Sequence, residues 1–451
     1  MKHSSITDIY RQFPDVHENI VLKTDVLRRG IDISPAAVEN FRNRDDLLWK
    51  GFHLFSYDKQ ETKVYGDKVP WYIRLEDGCP IMVRTNRNSP YLLDLIDDEF
   101  VIKEKESGET VANKLWFERK PRWYDMKTKE GIHMPAIAQG NARMIFVTTN
   151  KYCELWNAGD QCKFCNINAT LKDQKKGGED VVARIDPDII AEVVKTAFFV
   201  DHQYAWLYLS GGTILGKYQG QTELEFFCTR IEAIRDKLQV LIPTTIQIAP
   251  YEDEGWKRLH ATGVNAVQPN IEVWGKELFE WICPGKNKYV GWDNWIKRSI
   301  RGVDFWGRGR IQPNFVLGLE MAKPHGFDKV SDAVKHTAAG WDFLMENGVL
   351  PRFNLWIQES GSAFADQPEP PLEYFIEIQK AYTELRWKHK YDPPFPSAND
   401  RFSYYMNSLH DFEYYQGTGT LSKKNLDERL GVKPGDRGGR EDQQGYTLSW
   451  D

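Results

Sequence analysis

Between residues 141 and about 360, short apolar runs alternate with longer segments whose apolar residues recur at helical spacing. Residues 144–149 are apolar and β-branched and predict a strand. Asp186-Pro187 predicts a helix start, a capping carboxylate followed by proline at the first helical position. Ile190, Val193, Val194, Ala197 and Phe198 then share one face. Residues 205–209 predict the next strand. Leu224, Phe227, Cys228, Ile231, Ile234 and Leu238 return to helical spacing, which makes Cys228 a core residue. Strands are predicted over 240–248, 264–273, 311–319 and 350–357, and helices over 252–261, 292–305 and 329–346. The last of these helices ends at Asn347-Gly348, a C-cap pair. Strand and helix in alternation imply βαβ units and a parallel sheet. The fold class expected is α/β, a partial (β/α)6 barrel, although an open doubly wound sheet gives much the same pattern. In a barrel, reactive groups gather at the C-terminal ends of the strands. The unusual residues of this chain do follow the apolar runs.

The flanks differ. In residues 1–140 the clearest pattern is WYIRLEDGCPIMVR, residues 71–84. Trp71, Ile73 and Leu75 alternate with Tyr72, Arg74 and Glu76, and Asp77-Gly78 is a strong hairpin turn. Cys79 after it reads as an ordinary small side chain. Residues 34–49 predict one short helix. This N-terminal α+β accessory region shows no chemistry of its own. Residues 366–451 form a C-terminal extension, with a helix over 371–388. After about 411 the sequence is rich in Gly and charge and poor in periodic apolar residues, predicting an extended or partly disordered tail.

Composition narrows the function classes. The chain has 451 residues, 41% hydrophobic and 27% charged, enough for two or three domains. Its 59 basic and 65 acidic side chains give a net charge of -6, so nothing draws it generally to nucleic acid or an anionic membrane. No apolar run approaches the roughly 18 residues of a membrane span, and the N-terminus lacks a signal-peptide apolar region. Six cysteines in so long a chain are not a disulfide framework, which fits a reducing cytoplasm.

Three of those cysteines cluster. Cys153, Cys162 and Cys165 follow the first strand in a C-x8-C-x2-C spacing. Thiolates bind iron and zinc strongly. A zinc site would want a fourth ligand nearby, and the next candidates are His202 and Cys228. An iron–sulfur cube held by three cysteines leaves one iron open for another ligand.

The loop resembles the cluster-binding loop of the radical S-adenosylmethionine (radical SAM) superfamily, whose usual pattern is C-x3-C-x2-C with an aromatic before the last cysteine. Phe164 fills the aromatic place, and the first gap is eight residues instead of three. Four strand-end stretches extend the resemblance toward the branch containing biotin and lipoyl synthases. LSGGT, with Ser210, Gly211, Gly212 and Thr213, stands where the family has Gly-Gly-Glu, which helps hold the methionyl amine; Thr213 replaces the glutamate. QPNIEVW places Asn270 and Glu272 where that branch has N-L-E-T. NFVLGLE places Gly318 and Glu320 where it lies against the adenosyl group, and GSAF, residues 361–364, follows the last strand.

The resemblance spans residues 143–365. It implies a 4Fe-4S cluster on Cys153, Cys162 and Cys165, and S-adenosyl-L-methionine near Ser210, Gly211, Gly212, Thr213, Asn270, Glu272, Gly318 and Glu320. It implies reductive cleavage to a 5′-deoxyadenosyl radical that takes hydrogen from a small-molecule biosynthetic substrate. The electron donor expected is a flavodoxin or ferredoxin, with no nucleic acid and no membrane as partners. WICPGKNKYVGW, residues 281–292, adds Cys283 as a candidate hydrogen donor and Lys286 and Lys288 as candidate anion contacts, against the reading of a plain surface turn. Three alternatives stay open: an iron–sulfur carrier or sensor, a zinc-binding barrel enzyme, and a decayed family member lacking the glutamate.

Overall fold

In the computed structural model, residues 6–49, 64–66, 68–141, 144–178, 181–201, 204–240 and 242–391 are described. The Gly- and charge-rich stretch after residue 411 lies outside them.

The β-branched run after residue 143 forms strand β1 (Met144–Asn150). Helices α1 (Ile167–Lys176) and α2 (Pro187–Val200) lead to β2 (Trp206–Gly211). Asp186 caps α2, accepting from the Asp188 amide. Its buried face holds Ile190, Val193, Val194 and Ala197. Each buried Ile or Val there stabilises by about 1.5–3 kcal/mol, so Val194→Asp would detach the helix. Then follow α3 (Glu223–Leu238), β3 (Thr244–Gln247), α4 (Asp253–His260) and β4 (Ala266–Gln268). Two short helices, α5 (Lys276–Ile282) and α6 (Pro284–Tyr289), precede α7 (Trp292–Trp306). Strand β5 (Asn314–Leu317), helix α8 (Val330–Glu346), strand β6 (Arg352–Leu355) and helix α9 (Leu372–Lys388) complete the order.

Strands β1 to β4 pair in sequence, all parallel, and β5 pairs parallel with β6. Two parallel bridges, Val267 with Ile311 and Glu272 with Phe315, join β4 to β5. Six parallel strands separated by helices thus curve into the partial barrel expected. Among the described residues no ladder closes β6 on β1; Gln139–Asn141 instead pairs antiparallel with β1. No helix of the described residues is long and apolar enough to cross a membrane.

The inner wall is polar in part. Trp206 donates its indole N–H to Thr245, Tyr208 its hydroxyl to Gln268, and Ser210 its hydroxyl to Gln247. Two of these bonds tie β2 to its neighbour β3 and the third reaches across β3 to β4, all from one side of β2, as alternation along a strand requires.

The DG hairpin forms as expected, with Tyr72–Arg74 antiparallel to Pro80–Met82. The helix expected over 34–49 stops at Arg42, where the charged RNRDD run ends the apolar period. Leu47 and Leu48 are instead buried beside an extended segment, the Leu48 amide donating to the Glu118 carbonyl. A four-stranded sheet, with Asp32–Ile33 beside Tyr91–Ile96, Glu99–Glu104 and Thr110–Ala112, was not legible beforehand.

Candidate iron–sulfur and cofactor site

The site is built where β1 and β2 end. The register of β1 on β2 slips between Thr148 and Asn150, a bulge that re-aims the chain just before the cysteine loop. Asn150 then locks the two ends. Its carbonyl accepts from the Gly212 amide at 2.8 Å, and its side-chain amide donates to the Gly212 carbonyl at 2.7 Å. A Cβ on Gly212 would stand 2.7 Å from the Cys153 backbone, and one on Gly211 would stand 3.0 Å from the Asn150 side chain. The two glycines therefore let two chain segments touch. The sequence pointed to close approach; the partner it meets is the cysteine loop itself.

The long gap between Cys153 and Cys162 holds a turn of 3-10 helix, Glu154–Trp156, and a contact segment. The Gly285 amide donates to the Asp160 carbonyl at 3.0 Å, and Lys288 pairs with the Asp160 carboxylate at 2.6 Å. The Lys163 amide donates to Ile282, and the Phe364 amide to Lys163. Residues 281–289, read as a possible surface turn, are thus two short helices clamped on the cysteine loop.

Cys153, Cys162 and Cys165 are partly exposed and feel one another's charge. Burial pushes the Cys165 thiol well up, and the Cys162 charge adds to it. Burial raises Cys153 as well, against hydrogen bonds from Thr213. Cys162 is the exception. A hydrogen bond from Cys283 and the nearby Lys286 ammonium outweigh its burial and hold its thiol below the usual range. Among the described residues no three His, Cys, Asp or Glu side chains close on a single ion. Three thiols of one loop, each feeling another's charge, are the donor set that would hold an iron–sulfur cluster. The residues fit an iron–sulfur cluster.

Around that loop the other expected residues divide. Glu272 sits at a left-handed φ of +70°, rare for a side-chain-bearing residue, and pairs with Lys286 at 2.6 Å. Lys286 also donates to the Asn270 carbonyl at 2.7 Å and lies 4.9 Å from the centre of the Trp295 ring. Burial pulls the Lys286 ammonium down, but Glu272 and the two nearby thiols raise it overall. The Asn270 side chain accepts from the Asn314 amide. Cys283 is fully buried against Cys162; burial and that contact push its thiol well up.

Glu320 turns inward and is 2% exposed. Thr337, Tyr374 and the Gly318 amide all donate to it. Its carboxylate is committed to the fold. Gly318 has φ +106° and faces Pro370, where a Cβ would come within 2.7 Å. Glu154 and Glu223, not singled out in the sequence, both reach the glycine loop. Nothing in their local sequence marks them.

No family model matches the chain. It is similar to bacteriochlorophyllide c C-7(1)-hydroxylase of Chlorobaculum limnaeum, 24% identical over 290 residues, covering 62% of this chain and 68% of that protein. Among solved structures it is similar to the FeFe-hydrogenase maturase HydG of Carboxydothermus hydrogenoformans, with 15% identity and a TM-score of 0.41 over 55% of this chain and 52% of that one. It is also similar to coproporphyrinogen III oxidase HemN of Escherichia coli, a radical SAM enzyme, with 15% identity and a TM-score of 0.36 over 60% of this chain and 58% of that one. The chain spans about half the length of HydG. It resembles the radical SAM enzymes.

Proposed function

We propose that this chain binds a 4Fe-4S cluster on Cys153, Cys162 and Cys165, holds S-adenosylmethionine against the open iron, and takes hydrogen from a small organic substrate. The observation that carries the reading is the cysteine loop. It supplies three thiols, with Cys283 of the neighbouring helical segment donating to Cys162, and it is pinned between the glycine turn of β2 and helix α6. Cys153, Cys162 and Cys165 would hold the cluster, which when bound and reduced would supply one-electron reductive cleavage of S-adenosylmethionine.

The chain's own residues bind and orient. Gly211 and Gly212 bring the ends of β1 and β2 together so that the loop sits over the barrel. Lys286 holds Glu272 and the Asn270 carbonyl at the end of β4. Trp281 packs on Phe364 and Phe364 on Trp356, ring centres 5.2 and 5.7 Å apart, and the buried Phe364 and Trp356 back the cysteine loop, the Phe364 amide donating to Lys163. The electron comes from a small donor protein of flavodoxin or ferredoxin type.

The test is anaerobic reconstitution with iron and sulfide, then reduction by dithionite with S-adenosylmethionine. The parent should bind about four irons and form 5′-deoxyadenosine, and Cys162→Ala should form none. A bound cluster with equal, background 5′-deoxyadenosine in both proteins would favour the carrier reading. Zinc in freshly isolated anaerobic protein would overturn the assignment.

A further inference from the structure

We propose that Glu223, the first residue of α3, receives the ammonium group of S-adenosylmethionine in place of the motif carboxylate that Thr213 lacks. This rests on the cofactor reading above.

The glycine loop is folded around two carboxylates. Glu154 accepts from the Leu215 and Gly216 amides at 2.8 and 3.4 Å, and the Thr213 carbonyl accepts from the Glu154 amide at 2.9 Å. Glu223 accepts from the Ile214 amide at 3.2 Å and from the Tyr251 hydroxyl at 2.7 Å. So the Glu223 carboxylate meets the turn one residue beyond Thr213, and that turn touches Cys153.

The two carboxylates differ in their counter-charge. Glu154 pairs with Arg184 at 2.6 Å, and Arg184 is held over the Tyr218 ring at 4.4 Å. Glu223 forms no ion pair with a described residue; both its partners are neutral donors. Burial raises its carboxyl, the hydrogen bonds from Tyr251 and Ile214 oppose that, and the Glu154 charge raises it further. Lys286 is felt from across the site but is engaged with Glu272.

An ionised carboxylate at this depth is costly without a cation. Glu223 remains half-buried. Its carboxylate has two neutral donors and no described cation, and a bound ammonium would complete it. The hydroxyl of Thr213 carries no charge and cannot do this. Glu223 comes from an element ten residues on, which explains how the turn can lose its own acid and keep the contact.

The test compares two probes on anaerobically reconstituted full-length protein: S-adenosylmethionine and its analogue without the α-amino group. Affinity is read by equilibrium binding, so no turnover is needed. Glu223→Gln should weaken S-adenosylmethionine about 10- to 100-fold and leave the desamino analogue unchanged. Tyr251→Phe, which removes only a neutral partner, should retain the preference for the amine. Equal weakening of both probes in Glu223→Gln, or none of either, would overturn the proposal. Cluster content and near-ultraviolet circular dichroism report whether the variant is folded; loss of both in Glu223→Gln together with loss of the amine preference in Tyr251→Phe would make the residue structural and overturn it too. Failure of the parent protein, cluster in place, to bind S-adenosylmethionine would instead sink the cofactor reading on which the proposal stands.

Discussion

The Lys286–Glu272 pair is a well-buried ion pair at the end of β4, and it makes a measurable claim. The side chains are 15% and 10% exposed, and the N–O distance is 2.6 Å. Lys286→Met keeps the stem and removes the ammonium. Glu272 is then left buried without a cation, at a backbone conformation already costing about 1–3 kcal/mol. The Asn270 carbonyl also loses its donor. Removing one partner of a buried pair costs about 3–5 kcal/mol. Glu272→Gln should cost less, about 1–2 kcal/mol, because the ammonium keeps the Asn270 carbonyl and the Trp295 face. The double variant should be less destabilised than the sum, with a coupling of about 2–3 kcal/mol. The assay is anaerobic urea unfolding of the four apoproteins, analysed as a double-mutant cycle. Additivity within about 0.5 kcal/mol would refute the claim and show the pair to be solvated.

Gly212→Ala places a methyl 2.7 Å from the Cys153 backbone. Overpacking of this kind costs about 1–3 kcal/mol, and iron bound per chain should fall in parallel with the melting temperature; full iron content would mean the loop can shift. Tyr374→Phe removes a donor to the buried Glu320 carboxylate and should cost about 1.5–3 kcal/mol. Burial already holds the Glu320 carboxyl above its ordinary value, so its contribution is full below an unfolded pKa of about 4.3 and is lost as pH rises through the folded value. Tyr374 opposes that rise, so urea midpoints of variant and parent should diverge more at pH 8 than at pH 5; a gap independent of pH would count against a buried ionisable acid there. On the proposed ligand set of Cys153, Cys162 and Cys165, Cys283→Ala should retain the cluster, and iron analysis showing loss would make Cys283 a ligand.

What could be read in advance was set by short-range pattern. The cysteine spacing, the β-branched run before it and the Asp186-Pro187 helix start each lie within a few residues. The six strands followed from apolar runs, although β4 shrank from 264–273 to Ala266–Gln268 because Pro269 cannot donate to a ladder. The meander of Tyr91–Ile96 and Glu99–Glu104 was missed because its turn is Asp97-Asp98. Both residues take positive φ without a glycine to announce it. Pairings across sequence were equally hidden. Lys286 looked like a surface contact for an anion, yet its anion is Glu272, fourteen positions earlier. Glu320 looked like a cofactor contact, yet its donors Thr337 and Tyr374 come from α8 and α9. Periodicity reports which face a side chain takes, not what it meets there.

The buried Glu320 and the half-buried Glu223 contrast a carboxylate that completes the fold with the one proposed to meet a ligand. Glu320 and Glu223 are both raised by burial, and both have only neutral partners. A carboxylate offers about four lone-pair sites. Glu320 fills three, from Thr337, Tyr374 and the Gly318 amide, and is 2% exposed. Glu223 fills two and keeps an open side. If exposure merely let water complete Glu223, its replacement by Gln would be nearly silent toward any ligand. If an ammonium completes it, the loss falls on the amine alone. The same comparison explains why Thr213 need not mark decay: the charge the turn requires can be carried by an element that folds back on it, and only the spatial partner, not the motif position, is fixed by the chemistry.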